Sequence, residues 1–449
     1  MQAEGLSESA IGAFQASYSQ LKANATGLIA ESEISPVTEL PKADELQSSV
    51  RAAGLLEKTV VIKLNGGLGT SMGLENAKSL LPIRDGLTFL DLIALQILHL
   101  QKQGRVRFLL MNSFSTSADT LNFLKKYPEL GTDLELLQNR VPKLSVETLA
   151  PMDWPENPAL EWCPPGHGDI YPSMLGSGLL DRLLESGVRY LFVSNADNLG
   201  ATLETAILQY FANSDLSFLM EVTKRTNADR KGGHLAKDAN TGKLLLRESA
   251  QCSEADMDEF QNIEKHRFFN TNNLWIRLDR LKEAMLANGG VLPLPMIRNT
   301  KTVDPRDSAS PKVYQLETAM GAAIGAFSDS GAIEVSRERF APVKSTADLL
   351  ALRSDAYEVT NDSRLVLAAF RKGKPPFVDL DANYKFVDQL DVAIPNGAPS
   401  LLGCDKLTVK GPVQFSANVK IVGDVRIENT SVESRLVPAG VLANEALYL

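Results

Sequence analysis

The sequence predicts an α/β protein with a mostly parallel β-sheet, covered by helices on both faces and followed by a short coil of parallel strands. From residue 60 onward, short apolar runs alternate with helical patterns, an alternation typical of such sheets. Beyond residue 400, apolar residues recur every six positions, a period typical of a parallel β-helix. In open α/β sheets, ligands bind beyond the carboxyl ends of the strands. Polar motifs that follow the apolar runs are therefore candidate site residues.

The length of 449 residues exceeds that of one average domain. Ile11, Phe14, Tyr18 and Leu21 have helical spacing. We expect an N-terminal helical segment packing on the core, a central domain, and a linker with a C-terminal domain. Their expected bounds are 1–55, 56–370 and 371–449.

Apolar, strand-like runs divide the central region. They lie at 60–62, 106–111, 190–194, 216–222 and 268–270. Between the first two, Thr88 and Asp91 have the spacing of a helix N-terminal capping box, and Gly104 marks the end of the apolar face that follows. The strand–helix–strand order predicts that the first strands lie side by side in one sheet.

A glycine-rich stretch, 64–70, directly follows the first strand, and Lys78 comes shortly after it. Glycines let backbone N–H groups approach phosphates closely. A dinucleotide fingerprint needs glycine where Met72 stands, and a Walker A loop also needs glycine in place of Ala77. The pattern therefore excludes both best-known phosphate loops. A glycine turn without a phosphate role is the alternative at this point.

Composition narrows the classes of function. A net charge of −9 argues against a nucleic-acid partner, which needs a basic face. With four histidines and no H-E-x-x-H or C-x-x-C motif, the sequence gives little support for a zinc site. The three cysteines are far apart and odd in number, which favours a reducing, cytoplasmic location. No signal peptide or membrane-spanning run is expected from the sequence.

Asp197 follows the strand-like run 190–194. A carboxylate in that place can hold Mg²⁺ against phosphates. The other interpretation is an Asx turn that caps the next helix. The residues alone favour neither.

The C-terminal period consists of two apolar series, with Gly411 and Gly423 between their members. The series are Leu407, Val413, Val419 and Val425, and Val409, Phe415, Ile421 and Ile427. A parallel β-helix fits this period, and an ordinary antiparallel strand pair is the alternative. No convergent polar cluster accompanies it, so we expect a structural or oligomerising role.

Taken together, the motifs resemble those of eukaryotic-type UTP–glucose-1-phosphate uridylyltransferases (UDP-glucose pyrophosphorylases). The matching blocks keep the family order: LNGGLGTSMG at 64–73, TFLDL at 88–92, LMNSF at 110–114, PPGHGDIY at 164–171, FVSNADNLGA at 192–201, KGG at 231–233, FNTNNLW at 269–275, QLETA at 315–319 and PVK at 342–344. One departure is Asn76-Ala77, where the family usually has Gly-Pro before the loop lysine.

The resemblance implies a Rossmann-like nucleotidyltransferase (GT-A-like) mixed sheet and a short C-terminal left-handed parallel β-helix. It also assigns roles. The catalytic residues would be Lys78, Lys344 and Asp197, with Asp197 as the ligand of a Mg²⁺ cofactor. The nucleotide-binding residues would be Leu64, Asn65, Gly66, Gly67, Gln138 and Gly166. The sugar-binding residues would be His167, Asn195, Gly233, Glu248 and Asn272.

The implied reaction is reversible uridylyl transfer from UTP to glucose 1-phosphate. The expected partners are these small-molecule substrates, with no nucleic-acid or membrane partner. The protein is expected to be a monomer or a homo-oligomer assembled through the C-terminal domain. One alternative is a pyrophosphorylase with other or broader sugar 1-phosphate specificity. The related N-acetylhexosamine enzymes carry an arginine in the glycine loop, which this chain lacks. The other alternative is a non-catalytic UDP-sugar sensor, against which the retention of Lys78, Asp197 and Lys344 together argues.

Overall fold

The computed structural model describes residues 1–46 and 52–449. Residues 47–51, part of the expected N-terminal segment, lie outside the described residues. Within the described ranges the α-helices are α1 (Glu8–Lys22), α2 (Ala52–Leu56), α3 (Phe89–Gln101), α4 (Ser117–Leu124), α5 (Ile170–Gly176), α6 (Leu179–Glu185), α7 (Thr205–Asn213), α8 (Met257–Phe260), α9 (Leu278–Ala287), α10 (Thr346–Arg353) and α11 (Val387–Ala393).

The strands of the first half are short except in the central sheet. They are β1 (Ile34–Pro36), β2 (Thr59–Asn65), β3 (Pro82–Arg84), β4 (Leu87–Thr88), β5 (Arg107–Asn112), β6 (Glu135–Leu137), β7 (Val141–Pro142), β8 (Leu144–Ser145), β9 (Trp162–Cys163), β10 (Tyr190–Asn195), β11 (Phe218–Lys224), β12 (His234–Asp238) and β13 (Leu244–Arg247).

The second half contains the longest strands. They are β14 (Phe268–Arg277), β15 (Ile297–Thr302), β16 (Lys312–Glu317), β17 (Ser330–Glu334), β18 (Tyr357–Val359), β19 (Leu365–Leu367), β20 (Phe377–Leu380), β21 (Ser400–Lys410), β22 (Val413–Phe415), β23 (Val419–Glu428), β24 (Arg435–Val437), β25 (Gly440–Ala443) and β26 (Ala446–Tyr448).

The central sheet has the strand order β1-β12-β14-β10-β2-β5-β6, with β11 and β17 beside β14 and β13 beside β12. Strands β10, β2, β5 and β6 are parallel, whereas β14 runs antiparallel to β10, β11 and β12. The expectation of a mostly parallel sheet was therefore wrong for the part of the sheet around β14. The mixed sheet implied by the family resemblance is confirmed.

The five predicted strands all form, but β14 is longer than predicted. The prediction ended at residue 270 because the polar run 270–273 interrupts the apolar pattern. In the structure this run continues the strand through a β-bulge, where Asn272 adopts a φ of 58°. Bulges re-aim side chains, and Asn270, Thr271 and Asn273 of this polar segment are buried.

Both faces of the sheet are buried. Along β2, Val61 packs into one apolar cluster together with α3, while Val60 and Ile62 pack into the other. Alternate residues of a strand point to opposite faces, so this short apolar run supplies both layers of the core. Helix α3 begins at the predicted capping box, in which the Thr88 hydroxyl accepts from the Asp91 N–H (3.1 Å).

The C-terminal strands pair in parallel. Leu407 pairs with Val425 and Val409 with Ile427, so each pair is three six-residue periods apart. All eight residues of the predicted series are buried. Gly411 and Gly423 have φ angles of 76° and 66°, conformations that favour glycine. The parallel pairing is consistent with a β-helix-like coil, and its left-handedness stays a prediction.

Helix α1 contacts the central region. Ser7 caps the helix, and Leu21 packs with Leu144, Met296 and Leu316. At the other end of the chain, one apolar cluster runs from Leu56 to Leu442, across residues 370 and 371. The division into three domains stays a prediction. Across 1–46 and 52–449, no helix is both long enough and apolar enough to span a bilayer.

Candidate active site

The candidate site lies along the carboxyl ends of β10, β2, β5 and β6. Their parallel register places Asn195 beside Leu64 and Asn65 beside Asn112. Asn65 is buried and bonds through its side chain to Asn112 Oδ1 (2.7 Å) and Thr120 Oγ1 (2.9 Å). Its side chain therefore ties the strand ends together, and Leu64 and the glycines after it form the open part of the loop.

The glycine loop is held close to Gln138, the residue that follows β6. The Ser113 hydroxyl donates to the Gly66 carbonyl (2.9 Å), and a Cβ at Gly66 would lie 2.9 Å from Gln138 Oε1. Gln138 Nε2 donates to the Gly166 carbonyl (2.9 Å). Thus Gly66, Gln138 and Gly166, which are far apart in sequence, lie next to one another.

Gly166 and His167 are fixed against the 318–320 segment. Gly166 has a φ of 80°, and a Cβ there would lie 2.5 Å from the Thr318 carbonyl oxygen. His167 Nδ1 accepts from the Met320 N–H (3.0 Å), which leaves the ring proton on Nε2. Desolvation lowers the pKa of His167 to about 4. The imidazole is therefore a neutral hydrogen-bond donor at physiological pH.

Lys78 and Asp197 form the centre of the site. Lys78 Nζ lies 2.9 Å from Asp197 Oδ2 and also donates to the Val343 carbonyl. The Val343 N–H in turn donates to the Asp197 carbonyl (3.2 Å). Asp197 Oδ1 is buried and has no hydrogen-bond partner in the part of the chain that the structure describes. One carboxylate oxygen is thus paired and the other is available.

Ala77 occupies the family's proline position before Lys78. Its φ is −53°, which lies within the range that a proline ring imposes. The chain therefore reaches Lys78 with a proline-compatible backbone at this residue.

Two of the predicted sugar-side residues, Gly233 and Glu248, are in direct contact, and Glu248 lies within electrostatic reach of Lys344. The Glu248 carboxylate lies directly against the Cα of Gly233, where a Cβ would collide with it. Burial raises the pKa of Glu248, and the Lys344 ammonium opposes that rise. Asn272, on the β14 bulge, accepts from Asn270 Nδ2 (2.8 Å). Of the five predicted sugar-side positions, His167 lies beside Gly166 and the 318–320 segment, Asn195 ends β10, Gly233 precedes β12, Glu248 follows β13 and Asn272 lies within β14.

Several supporting residues escaped the sequence reasoning. Asp169 accepts from the Asn139 N–H (2.7 Å) and from the Ser173 hydroxyl (2.7 Å), and burial raises its pKa to about 6. Lys63 and Glu221 are buried charges within β2 and β11. A single charge inside an apolar strand run was a visible signal, because such charges are rarely buried without a partner.

A buried cluster lies directly behind Gly233 and Glu248. His234 and Arg247 are paired across β12 and β13, and the rings of His234 and His266 stack with centroids 3.9 Å apart. Glu31 accepts from Arg247 (2.6 Å) and lies 2.9 Å from His266 Nε2. The N-terminal segment is thereby linked to the hairpin that carries two sugar-side residues.

This cluster predicts acid sensitivity. Burial lowers the pKa of His234 to about 2, so below its unfolded pKa of about 6.5 the unfolded chain binds a proton that the folded chain does not. The stabilising contribution is present above that pH and is lost as the pH falls. As the pH is lowered, the free energy of unfolding should fall less steeply in His234→Phe than in wild type. The slopes should differ by up to about 1.4 kcal/mol per pH unit. Urea unfolding of both proteins between about pH 7 and 5 measures this; parallel curves would contradict it.

No group of three His, Cys, Asp or Glu side chains that could hold a metal occurs in 1–46 and 52–449. Asp197, with its available Oδ1, fits a Mg²⁺ ion of the kind that takes one or two carboxylates and completes its shell with phosphates and water. Such an ion would be held jointly by Asp197 and a phosphate ligand.

A family model, relatives found by sequence and solved structures all point to one family. The family model described as UTP–glucose-1-phosphate uridylyltransferase matches residues 11–422. The UTP–glucose-1-phosphate uridylyltransferase of Solanum tuberosum is 41% identical over 397 residues, covering 87% of this chain and 81% of the relative. The probable enzyme of that name from Schizosaccharomyces pombe is 39% identical over 420 residues, covering 91% and 82%.

Solved structures are similar over the whole chain. A mutant UDP-glucose pyrophosphorylase from Leishmania major, in complex with UDP-glucose, has a TM-score of 0.95 and 52% identity and covers 100% of this chain and 98% of its own. A protein named UDP-glucose phosphorylase from Trypanosoma brucei has a TM-score of 0.93 and 51% identity, with the same coverage. With this likeness and with the glycine loop, Lys78 and Asp197 brought together, the chain belongs to the UTP–glucose-1-phosphate uridylyltransferase family.

Proposed function

We propose that this chain transfers the uridylyl group of UTP to glucose 1-phosphate and releases pyrophosphate, in a reversible reaction. The observation that carries the proposal is the contact between Lys78 and Asp197. It lies where the glycine loop meets the 342–344 segment, and so between the loop proposed for the nucleotide and the lysine proposed for the sugar phosphate. Relatives across the family bear names that state this activity.

The chemistry suits a site without a general base. The second pKa of a phosphomonoester is about 6, so the phosphate of glucose 1-phosphate is already an anion at neutral pH. One of its oxygens attacks the α-phosphorus of UTP, the bond from that phosphorus to the β-phosphate oxygen breaks, and pyrophosphate leaves. The protein must align the groups and neutralise their charge. Lys78 would do so for the triphosphate and Lys344 for the sugar phosphate.

Mg²⁺ is the proposed cofactor, with Asp197 as its protein ligand. The buried, unpartnered Asp197 Oδ1 supports this assignment. When bound, the ion would neutralise charge that develops on the phosphate oxygens. Lys78 would keep the carboxylate oriented through Oδ2.

Transfer is expected to invert the configuration at the α-phosphorus, because one direct displacement inverts it and a covalent uridylyl-enzyme would require two. His167 is neutral and holds Met320 through Nδ1, so we assign it a donor's role. The measurement uses UTP made chiral at the α-phosphorus by sulfur substitution. Net retention, or exchange between pyrophosphate and UTP without sugar phosphate, would contradict the direct route and point to His167 as a nucleophile.

Gln138 is proposed to read uracil, since an amide can donate to and accept from the base edge at once. Gln138→Ala should lower the ratio of kcat/KM for UTP to that for CTP by about tenfold, corresponding to one lost hydrogen bond, without abolishing turnover at saturating UTP. Gln103→Ala, which changes an exposed glutamine two residues beyond the end of α3, is the control. An unchanged ratio in Gln138→Ala would remove this residue from the base pocket.

Release of pyrophosphate from UTP and glucose 1-phosphate tests the proposed function. A screen of sugar 1-phosphates against the four nucleoside triphosphates also distinguishes the alternatives. Comparable rates with several sugar 1-phosphates would favour the broader pyrophosphorylase, and binding of UDP-glucose without pyrophosphate release would favour the sensor. A cytoplasmic location belongs to the same proposal and is supported by three buried cysteines that form no disulfide.

A further inference from the structure

We propose that the buried ion pair between Glu221 and Arg339 is a positioning device that sets the separation of Asp197 and Lys344. The proposal rests on the proposed function, because it assigns those two residues to the reaction. Neither Glu221 nor Arg339 faces the pocket; both would act through the segments that they connect.

Glu221, on β11, is a fully buried carboxylate whose two oxygens are each used twice. Oε1 accepts from Arg339 (2.8 Å) and from the Trp275 indole (2.9 Å). Oε2 accepts from Arg339 Nε (2.9 Å) and from Asn273 Nδ2 (2.9 Å). Two of these donors, Asn273 and Trp275, lie on β14 one and three residues beyond Asn272, so the carboxylate also fixes the strand that carries a proposed sugar-side residue.

Arg339 connects this carboxylate to the turn after Asp197. Its guanidinium donates to the Thr202 carbonyl (2.9 Å), and its own carbonyl accepts from Asn198 Nδ2 (3.0 Å). Asn198 Oδ1 accepts from the Ala341 N–H (3.1 Å). Lys63, on β2, donates to the Ala201 carbonyl in the same turn (2.5 Å). The 198–202 turn and the 339–341 segment are therefore joined by several hydrogen bonds, centred on one arginine.

The joined segments lead directly to the reacting groups. Val343, two residues beyond Ala341, donates to the Asp197 carbonyl and accepts from Lys78, and Lys344 follows it. Gly200 lies against the Glu338 carbonyl so closely that a Cβ would collide with it. Because burying an ion pair gives little net stability, we assign the pair to geometry: it holds Lys344 at a fixed distance from Asp197.

Glu221→Gln keeps the shape of the side chain and removes its charge. Arg339→Lys keeps the charge and removes the planar guanidinium that bonds both carboxylate oxygens. A displacement of about 1 Å can cost roughly 100-fold in rate. We expect kcat to fall roughly 10- to 100-fold and the KM for glucose 1-phosphate to rise several-fold, while the KM for UTP changes by less than about threefold. The readouts are both KM values, kcat and the melting temperature, measured on the full chain.

Asp91→Asn is the matched control. Asp91 is a buried carboxylate that accepts from the Thr88 N–H (2.8 Å), the Thr88 hydroxyl (2.8 Å) and the Tyr127 hydroxyl (2.5 Å) at the start of α3. Its loss should lower the melting temperature and leave kcat and both KM values unchanged. This separates positioning from stability.

The proposal is overturned if folded Glu221→Gln keeps kcat and the KM for glucose 1-phosphate within about twofold of wild type, or if Asp91→Asn loses activity to the same extent. Should Glu221→Gln fail to fold, Arg339→Lys with unchanged kinetics overturns it. A wild-type chain without pyrophosphate release refutes the proposed function instead, so the two failures are distinguishable.

Discussion

Asp197→Ala is expected to reduce uridylyl transfer roughly 100- to 1,000-fold, about 3 to 4 kcal/mol in activation free energy. The substitution removes the available Oδ1 and the partner of Lys78 while leaving the backbone contact with Val343 in place. The fold should survive, because Asp197 is partly exposed and its main-chain bonds remain.

The measurement is kcat at limiting and saturating Mg²⁺, together with Mn²⁺ binding in the presence of UTP, followed by the paramagnetic relaxation of water. Asp197→Ala should bind Mn²⁺ more weakly even in the absence of turnover. Asp405→Asn, which neutralises an exposed carboxylate on β21, is the control for net charge. Activity within a few-fold of wild type, or unchanged Mn²⁺ binding, would show that Asp197 is not the metal ligand.

The sequence predicted β2, β5 and β10 of the parallel strands but not β6, and on the antiparallel side it predicted β11 and only the start of β14. Strands β2, β5 and β10 each contain a run of at least three consecutive apolar residues, because they are buried on both faces. Strand β14 is equally buried, yet it carries Asn270 and Asn273, whose amides bond within the protein. Apolar periodicity cannot indicate a strand whose interior positions are polar, since tertiary partners satisfy them.

Lys78 and Asp197 follow strands β2 and β10 in sequence, so their convergence could be anticipated from the topology of the sheet, whereas Lys344 was assigned only through the family resemblance. The buried ion pairs that hold these residues in place could not be anticipated from the sequence. Arg339 meets Glu221 across 118 positions of sequence, and Glu31 reaches Arg247 across 216. Only a buried charge within an apolar run hinted that a partner must exist, and nothing in the sequence specified which one. The fold decides such pairings.

The second large effect is expected at Lys344. Its backbone N–H bonds to Asp348 (2.8 Å) at the start of α10, and its side chain is exposed with no ion-pair partner among the residues described. Lys344→Met therefore removes a charge without breaking a structural contact, and stability should change by no more than about 0.5 kcal/mol. If the ammonium neutralises the sugar phosphate, kcat/KM for glucose 1-phosphate should fall roughly 100-fold, with a much smaller change in the KM for UTP.

Kinetics in both directions, with the second substrate saturating, measure this effect, and Lys410→Met, at an exposed position of β21, is the control. Glu248 supplies an independent readout. Because Lys344 opposes the rise in the pKa of Glu248, that pKa should rise further in Lys344→Met. An equal loss for both substrates, or a loss of less than about threefold, would place Lys344 outside the sugar-phosphate site; the lysine contact to the reacting phosphates would then be left to Lys78, already held between Asp197 and Val343.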